Sequence, residues 1–356
     1  MTMDTPAQLN SAQLNLARRL ARPELLELQP YESARRIGGR GDIWINANES
    51  PFNNSRLDRV NRYPECQPPE LISAYSQYSG VCADNIIAGR GADEAIELLI
   101  RTFCVPGVDS IACFGPTYGM YAISARTFNV GVNALSLTTS YQLPEDIMAQ
   151  VGSAKLVFIC NPNNPTGTVI DRGSIEAVVA GLPDRLVIVD EAYIEFCPDY
   201  SVAELIEKYD NLVVLRTLSK AFALAGARCG FLLAKAPTCE MVMRVIAPYP
   251  VPLPVSELAC AALSENGIAL MREQVAELKV NGERLTDTLR SCGAKVLSAN
   301  GNFVLAEFDE PKAVTARLTQ AGIVARTYSD PRLSNCIRFS FSNKEETDYL
   351  IEQLSQ

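Results

Sequence analysis

Three stretches decide how this chain folds: KLVFICNPNNPTG at 155–167, RLVIVDEAY at 185–193 and NLVVLRTLSK at 211–220. Each opens on a near-continuous apolar run, as a strand buried on both faces requires. The runs start about 25–30 residues apart, with helical or irregular sequence between them. That spacing fits right-handed crossover units and a mostly parallel sheet. Toward the N-terminus the same alternation continues. PPELISAYSQYSG (68–80) reads as a helix ended by Gly80, and NIIAG (85–89) as a strand. ADEAIELLIRTFC (92–104) carries a broad helical face. SIACF (110–114) reads as a strand and TYGMYAISARTF (117–128) as a helix.

Beyond Pro254 the texture changes. Residues 255–292 read as one long helix, whole or broken. Strands follow around NFVLAEF (302–308), IVART (323–327) and CIRFSF (336–341), and KEETDYLIEQL (344–354) closes the chain as a helix. The expected organisation is an N-terminal arm over 1–45, holding one short helix. A large α/β domain follows over 46–254, and a smaller α+β domain over 255–356.

Composition narrows the function. The 356 residues exceed what one ordinary core serves, which fits two domains. A net charge of −9 argues against nucleic acid, because phosphate backbones need a basic surface. The apolar runs are too short for a membrane span, and the first residues lack a basic segment followed by an apolar one. The expectation is a cytoplasmic protein. Its 11 cysteines form no CxxC pair and read as free thiols in a reducing compartment. Histidine is absent, which removes Ser-His-Asp and Cys-His nucleophile systems and His-bearing zinc sites. No metal site is expected.

In an open α/β sheet, ligands bind beyond the carboxyl ends of the strands. The three runs end in Asn164, Asp190 with Tyr193 close by, and Ser219 with Lys220. Singly each has an ordinary reading: an Asn-Pro turn, a helix cap, a solvated charge. Together at one sheet edge they suit pyridoxal phosphate. A lysine amine attacks an aldehyde only when unprotonated, and poor solvation and nearby cationic charge lower its pKa. The uncharged AFALAGA (221–227) and Arg228 supply both. The small residues would also let a helix start approach the cofactor. A buried aspartate holds the pyridine nitrogen protonated. Asparagine and tyrosine suit the phenolic oxygen, and Ser219 and Arg228 the phosphate. GRGADE (89–94) opens a helix whose first N–H groups bind anions, although acidic residues there also suit the helix dipole alone. PTYG (116–119) places Tyr118 at the next helix start, positioned to stack on a flat ring or to fill the core.

GRGADE, PTYG, NPNNPTG, DEAY, SK and the arginine eight residues after that lysine stand in the order and spacing of the pyridoxal-phosphate aminotransferases of fold type I, which the chain resembles over nearly its whole length. NANESP (46–51), NRYPECQP (61–68), DEAYIEF (190–196) and RTLSKAFALAGARCG (216–230) resemble the branch that moves an amino group between histidinol phosphate and 2-oxoglutarate, in histidine biosynthesis. The resemblance implies a large, mostly parallel sheet with helices on both faces and a smaller α+β domain. It implies that Lys220 bonds the cofactor and shuttles the Cα proton, and that Asp190 pairs with the ring nitrogen. It places Asn164 and Tyr193 at the phenolic oxygen and Tyr118 on the ring. Ala92, Asp93, Ser219 and Arg228 surround the phosphate, joined by Tyr63 from the other subunit of a homodimer. Arg338 matches a carboxylate-binding arginine, and Arg326 one that holds the substrate phosphate. Tyr31 and Asn48 match arm and loop positions near the substrate. GRGADE departs from the pattern by an alanine where many relatives carry serine.

A threonine-phosphate decarboxylase or an aromatic aminotransferase would use the same cofactor residues. A regulatory protein on this scaffold would need an attached DNA-binding domain, and residues 1–45 are too short for one. A nucleotide-binding protein would need a P-loop or GxGxxG, and the sequence has neither.

Overall fold

The computed structural model describes residues 15–31, 38 and 43–355. Most of the expected arm lies outside the described residues. Its described part holds the helix Leu16–Leu20, capped by the Asn15 side chain, which accepts the Arg18 N–H. Ala17 and Leu20 are buried against the main core.

Seven strands form the large sheet: β1 (Ile86–Gly89), β2 (Ser110–Gly115), β3 (Gly131–Ser136), β4 (Leu156–Cys160), β5 (Leu186–Asp190), β6 (Leu212–Thr217) and β7 (Gly230–Ala234). Their order is β1-β7-β6-β5-β4-β2-β3. Strands β3, β2, β4, β5 and β6 are parallel, and β7 runs antiparallel to both β6 and β1. The three apolar runs of the opening stretches are the central strands β4, β5 and β6, buried along their whole lengths. Alternate residues serve two layers. Val157, Ile159, Val187 and Val189 face a core closed by the helices Pro69–Ser79 and Arg172–Gly181. Leu156, Phe158, Leu186 and Ile188 face a second core closed by Ala92–Phe103, Met120–Thr127 and Ala236–Val242.

The sequence reading picks out neither β3 nor β7. GVNALS is a partly exposed edge strand with broken apolar patterning. GFLLA begins directly after Arg228–Cys229, with no punctuating turn residue apart from its own Gly230. That glycine has a packing reason. A Cβ on Gly230 would stand 2.6 Å from the Gly91 carbonyl carbon and 2.8 Å from the Ala92 nitrogen, so only glycine lets the helix Ala92–Phe103 begin against β7. Gly91 itself has φ +87, a conformation L side chains rarely adopt.

The helix expected over 255–292 is broken, as Leu253–Ala262 and Glu265–Ser291, with the Ser264 side chain capping the second. Ala259, Leu263, Met271 and Val275 pack into the large core, whereas Leu285 and Leu289 pack into a separate one. The long helix is therefore a strut shared by two units. The smaller unit is an antiparallel sheet of order β10-β11-β9-β8, made from β8 (Lys295–Val296), β9 (Phe303–Glu307), β10 (Arg326–Thr327) and β11 (Cys336–Ser340). The helices Pro311–Gln320 and Lys344–Leu354 cover one face. Phe303 on the other face packs on Ala192 and Tyr193 of the large unit. Among the described residues no helix is long and apolar enough to cross a membrane, and all 11 cysteines are free thiols.

Candidate active site

Register puts the expected residues together. Cys160 pairs with Asp190 across β4–β5, and Asp190 with Leu215 across β5–β6. The segments after these strands therefore emerge at one sheet edge, over a cavity of about 540 Å³. Ala92, Asp93, Tyr118, Asn164, Asp190 and Tyr193 line it, together with Ser219, Lys220, Arg228, Arg326 and Arg338.

Lys220 follows β6 on a turn. After it, AFALAGA forms a turn and the single 3-10 turn Ala225–Ala227, which ends at Arg228 in a left-handed conformation, φ 55. Ala221 and Phe222 bury into the core, which fixes the turn beneath the lysine. Burial lowers the Lys220 pKa, with Arg338 the next contribution and Arg228 a smaller one. The cationic neighbour that matters most thus comes from the small unit, 118 positions away in sequence. The Lys220 amine stands 5.5 Å from the centre of the Tyr193 ring.

Asp190 is 2% exposed. Its Oδ1 accepts the Ala192 N–H at 3.1 Å and its Oδ2 accepts the Tyr121 hydroxyl at 2.6 Å. Burial pushes its pKa up to about 6, against the pull of those two donors. Asn164 Nδ2 donates to the Tyr193 hydroxyl at 3.1 Å, while its Oδ1 accepts from Arg338 Nη1 at 2.6 Å.

At the far end, no side chain caps the helix Ala92–Phe103, so its N-terminus faces the cavity with backbone donors. Asp93 accepts the Tyr118 hydroxyl at 2.8 Å and Arg228 Nη2 at 3.1 Å. Its side chain thus orients the guanidinium and the aromatic ring, leaving the backbone N–H as its own anion donor. Arg228 Nη1 also reaches Ser219 Oγ at 3.4 Å. Tyr118 sits two residues ahead of the helix Met120–Thr127, not within its first turn. The donor set fits pyridoxal phosphate: an amine held toward its neutral form, a buried carboxylate for a protonated ring nitrogen, an amide–phenol pair for the ring oxygen, and an anion pocket of backbone N–H, serine and arginine.

The small unit supplies the opposite wall. Arg326 and Arg338 are cross-strand partners in β10–β11, and both line the cavity. Like charges directly opposite each other in an antiparallel pair are destabilising, so this pair is arranged for anions. Arg338 lies over Phe303 and Arg326 over Tyr328, at 5.2 and 5.9 Å from the ring centres.

Tyr31, Asn48 and Tyr63 do not line this cavity. Tyr63 is 49% exposed and stacks on Tyr249 at 4.3 Å. The sequence reading also misses Tyr121 and Tyr328. Tyr121 lies three residues after Tyr118, at the start of the helix Met120–Thr127, and that nearness in sequence is the signal available for it. Tyr328 has no such signal, because its place depends on how β10 docks.

The model for the aminotransferase class I and II family matches residues 43–354, and the chain belongs to that family. More particularly, it is 68% identical over 345 residues to a protein of Shewanella oneidensis named histidinol-phosphate aminotransferase, covering 94% of this chain and 88% of that one. Among solved structures it is similar to the histidinol-phosphate aminotransferase of Clostridium acetobutylicum, at 25% identity and TM-score 0.76 over 83% of this chain and 90% of that one. It also shares its fold with the Sinorhizobium meliloti histidinol-phosphate aminotransferase solved with pyridoxal-5'-phosphate, at 24% identity and TM-score 0.77, with 83% of each chain covered.

Proposed function

We propose that this chain is a pyridoxal-phosphate enzyme transferring an amino group between L-histidinol phosphate and 2-oxoglutarate, which yields imidazole acetol phosphate and L-glutamate. The observation that carries the substrate reading is the facing pair Arg326 and Arg338 over Lys220. Two guanidinium groups suit a pocket that must accept a phosphate monoester in one half-reaction and a dicarboxylate in the other. The 68% identity over 94% of the chain points the same way.

When bound, pyridoxal phosphate supplies an aldehyde that exchanges amines and a ring that takes up electrons released at Cα. Lys220, partly buried and poorly solvated, would be the residue that bonds the cofactor and the base that holds and moves the Cα proton. Asp190 offers a buried anion to the ring nitrogen. Asn164 and Tyr193, already hydrogen-bonded to each other, would hold the ring oxygen, and Tyr118 would lie against the ring. The Ala92 and Asp93 backbone, Ser219 and Arg228 would hold the cofactor phosphate. Arg326 binds the substrate phosphate and Arg338 a glutamate carboxylate, with Tyr31 and Asn48 near the substrate.

The working assembly in this reading is a homodimer in which Tyr63 reaches the partner's cofactor phosphate. Its support is that Tyr63 is half-exposed and outside its own cavity, on a segment where Ile43, Ile45 and Phe52 are 84%, 89% and 75% exposed. The reading keeps the arm at 1–45, the large domain at 46–254 and the small domain at 255–356, joined by the shared helix. It places the enzyme in the cytoplasm, which the 11 free thiols support.

The test is spectroscopic. Adding L-histidinol phosphate to purified holoenzyme without acceptor converts the lysine-bound cofactor band to the amino form. Adding 2-oxoglutarate then restores the band with release of glutamate. A band that histidinol phosphate leaves unchanged while another amino donor bleaches it overturns the substrate and leaves the fold and cofactor standing.

A further inference from the structure

Tyr121 is fully buried on the helix Met120–Thr127, between the cavity and the sheet. Its ring stacks on Phe158 of β4 at 4.9 Å and 18° and meets Tyr118 edge-on at 5.7 Å. Filling that space needs only a phenyl ring. The hydroxyl does something else: it donates to Asp190 Oδ2 at 2.6 Å, while the Ala192 N–H serves Oδ1. Among the described residues each carboxylate oxygen therefore has one donor and lone pairs left over.

The surroundings make that donor matter. A buried carboxyl is driven toward its neutral form, which accepts a proton where an anion is needed. The titratable groups facing Asp190 come from several elements. Asp93 on the helix Ala92–Phe103 opposes its ionisation, and Lys220 beyond β6 favours it. Cys160 on β4, Tyr121 on its helix, Tyr118 ahead of that helix and Tyr193 beyond β5 also face it. The Cys160 thiol, pushed up to about 12, stays neutral, and burial and the Asp190 charge raise Tyr118 and Tyr193 above their usual range. Burial and the Asp190 charge raise the Tyr121 hydroxyl above the usual tyrosine range, so it remains a protonated donor throughout the working pH range.

We propose that Tyr121 is a positioning residue for the cofactor: its hydroxyl fixes the Asp190 carboxylate in plane and holds it ionised, so that the carboxylate pairs with a protonated ring nitrogen. This rests on the reading of the cavity as a pyridoxal-phosphate site with Asp190 at the ring nitrogen.

The test is equilibrium binding of pyridoxal phosphate to the apoenzyme across a pH series, for the wild type, Tyr121→Phe, Asp190→Asn and the double variant. Tyr121→Phe keeps the ring stack on Phe158, and circular dichroism of the apoenzyme reports the fold. The expected result is an affinity about ten- to a hundredfold weaker for Tyr121→Phe, the order of a hydrogen bond to a charged group. Removing a donor to the charged form raises the carboxyl pKa, so the acid limb of the affinity profile moves to higher pH. In the Asp190→Asn background the Tyr121→Phe change adds little, because the group it acts through is gone. A 3-fluorotyrosine at 121, a more acidic phenol of nearly the same shape, moves the acid limb the opposite way and serves if Tyr121→Phe folds poorly. Wild-type affinity and pH profile in Tyr121→Phe, an acid limb unmoved by the fluorotyrosine, or losses that simply multiply in the double variant, would overturn the role of Tyr121 alone. Wild-type binding by Asp190→Asn would instead overturn the placement of Asp190, and the present proposal with it.

Discussion

Arg338 Nη1 donates to Asn164 Oδ1 at 2.6 Å, joining the small sheet directly to the loop after β4. The bond fixes which way the amide points: oxygen to Arg338, and Nδ2 to the Tyr193 hydroxyl at 3.1 Å. Arg338 Nε is buried without a hydrogen-bond partner among the described residues. A buried orphan donor is costly, and a substrate carboxylate is the acceptor that the proposed reaction brings. In the proposed reaction, substrate binding and cofactor binding would thus be coupled through one guanidinium.

Arg338→Lys keeps the charge and loses the planar fork. Steady-state kinetics are expected to show KM for glutamate and 2-oxoglutarate raised about ten- to a hundredfold, on the order of 1.5–3 kcal/mol for a charge-assisted pair. Unchanged KM for both would remove Arg338 from the carboxylate site.

The same arginine depresses the Lys220 pKa. Removing a neighbouring cation favours the protonated amine, so in Arg338→Met apoenzyme the lysine titrates at higher pH than in the wild type. Amine modification of Lys220, followed against pH by peptide mapping, reads the shift. Lys220→Ala is expected to abolish transamination while pyridoxal phosphate still binds noncovalently; near-normal turnover would end the assignment.

Arg326→Ala separates the two half-reactions. Single-turnover conversion by histidinol phosphate should weaken selectively, and conversion by glutamate should stay within a few fold. Equal losses with both donors would show that Arg326 does not read the phosphate.

The dimer reading has a complementation test. In a heterodimer of Lys220→Ala and Tyr63→Phe subunits, an interface-crossing tyrosine gives one intact site, with about half the wild-type activity regained. If Tyr63 serves its own subunit, neither site is intact and mixing restores nothing.

Beneath the sheet edge, Arg216 holds Glu191 at 2.6 Å and approaches Glu195 at 3.7 Å, all three nearly inaccessible. Burial pushes the Glu195 pKa up to about 7. The folded state then binds more protons than the unfolded state between the ordinary glutamate range and about pH 7. Stability contributed here falls as pH rises through that window and levels off above it. Chemical denaturation of Glu195→Gln against the wild type should show a flatter pH dependence from 5 to 7. Arg216→Met leaves two buried carboxylates and is expected to cost about 3–5 kcal/mol.

Much of this was legible in one dimension. The runs in β4, β5 and β6 are uninterrupted because strands covered on both faces must be, and the residues that follow them inherit a common edge from the parallel register. Lys220, Asp190 and Asn164 meet for that reason, as their spacing predicted. Strand β7 carries no sequence mark of its own, because it follows Arg228 and Cys229 without a break. What only the tertiary structure decided lies where separate units meet. The pairing of Arg326 with Arg338, the grip of Arg338 on Asn164 and the donor from Tyr121 to Asp190 join residues 12, 174 and 69 positions apart. Local periodicity reports which face of an element is buried. It does not report which distant polar group that face will meet, because that partner is set by how packed layers close on one another.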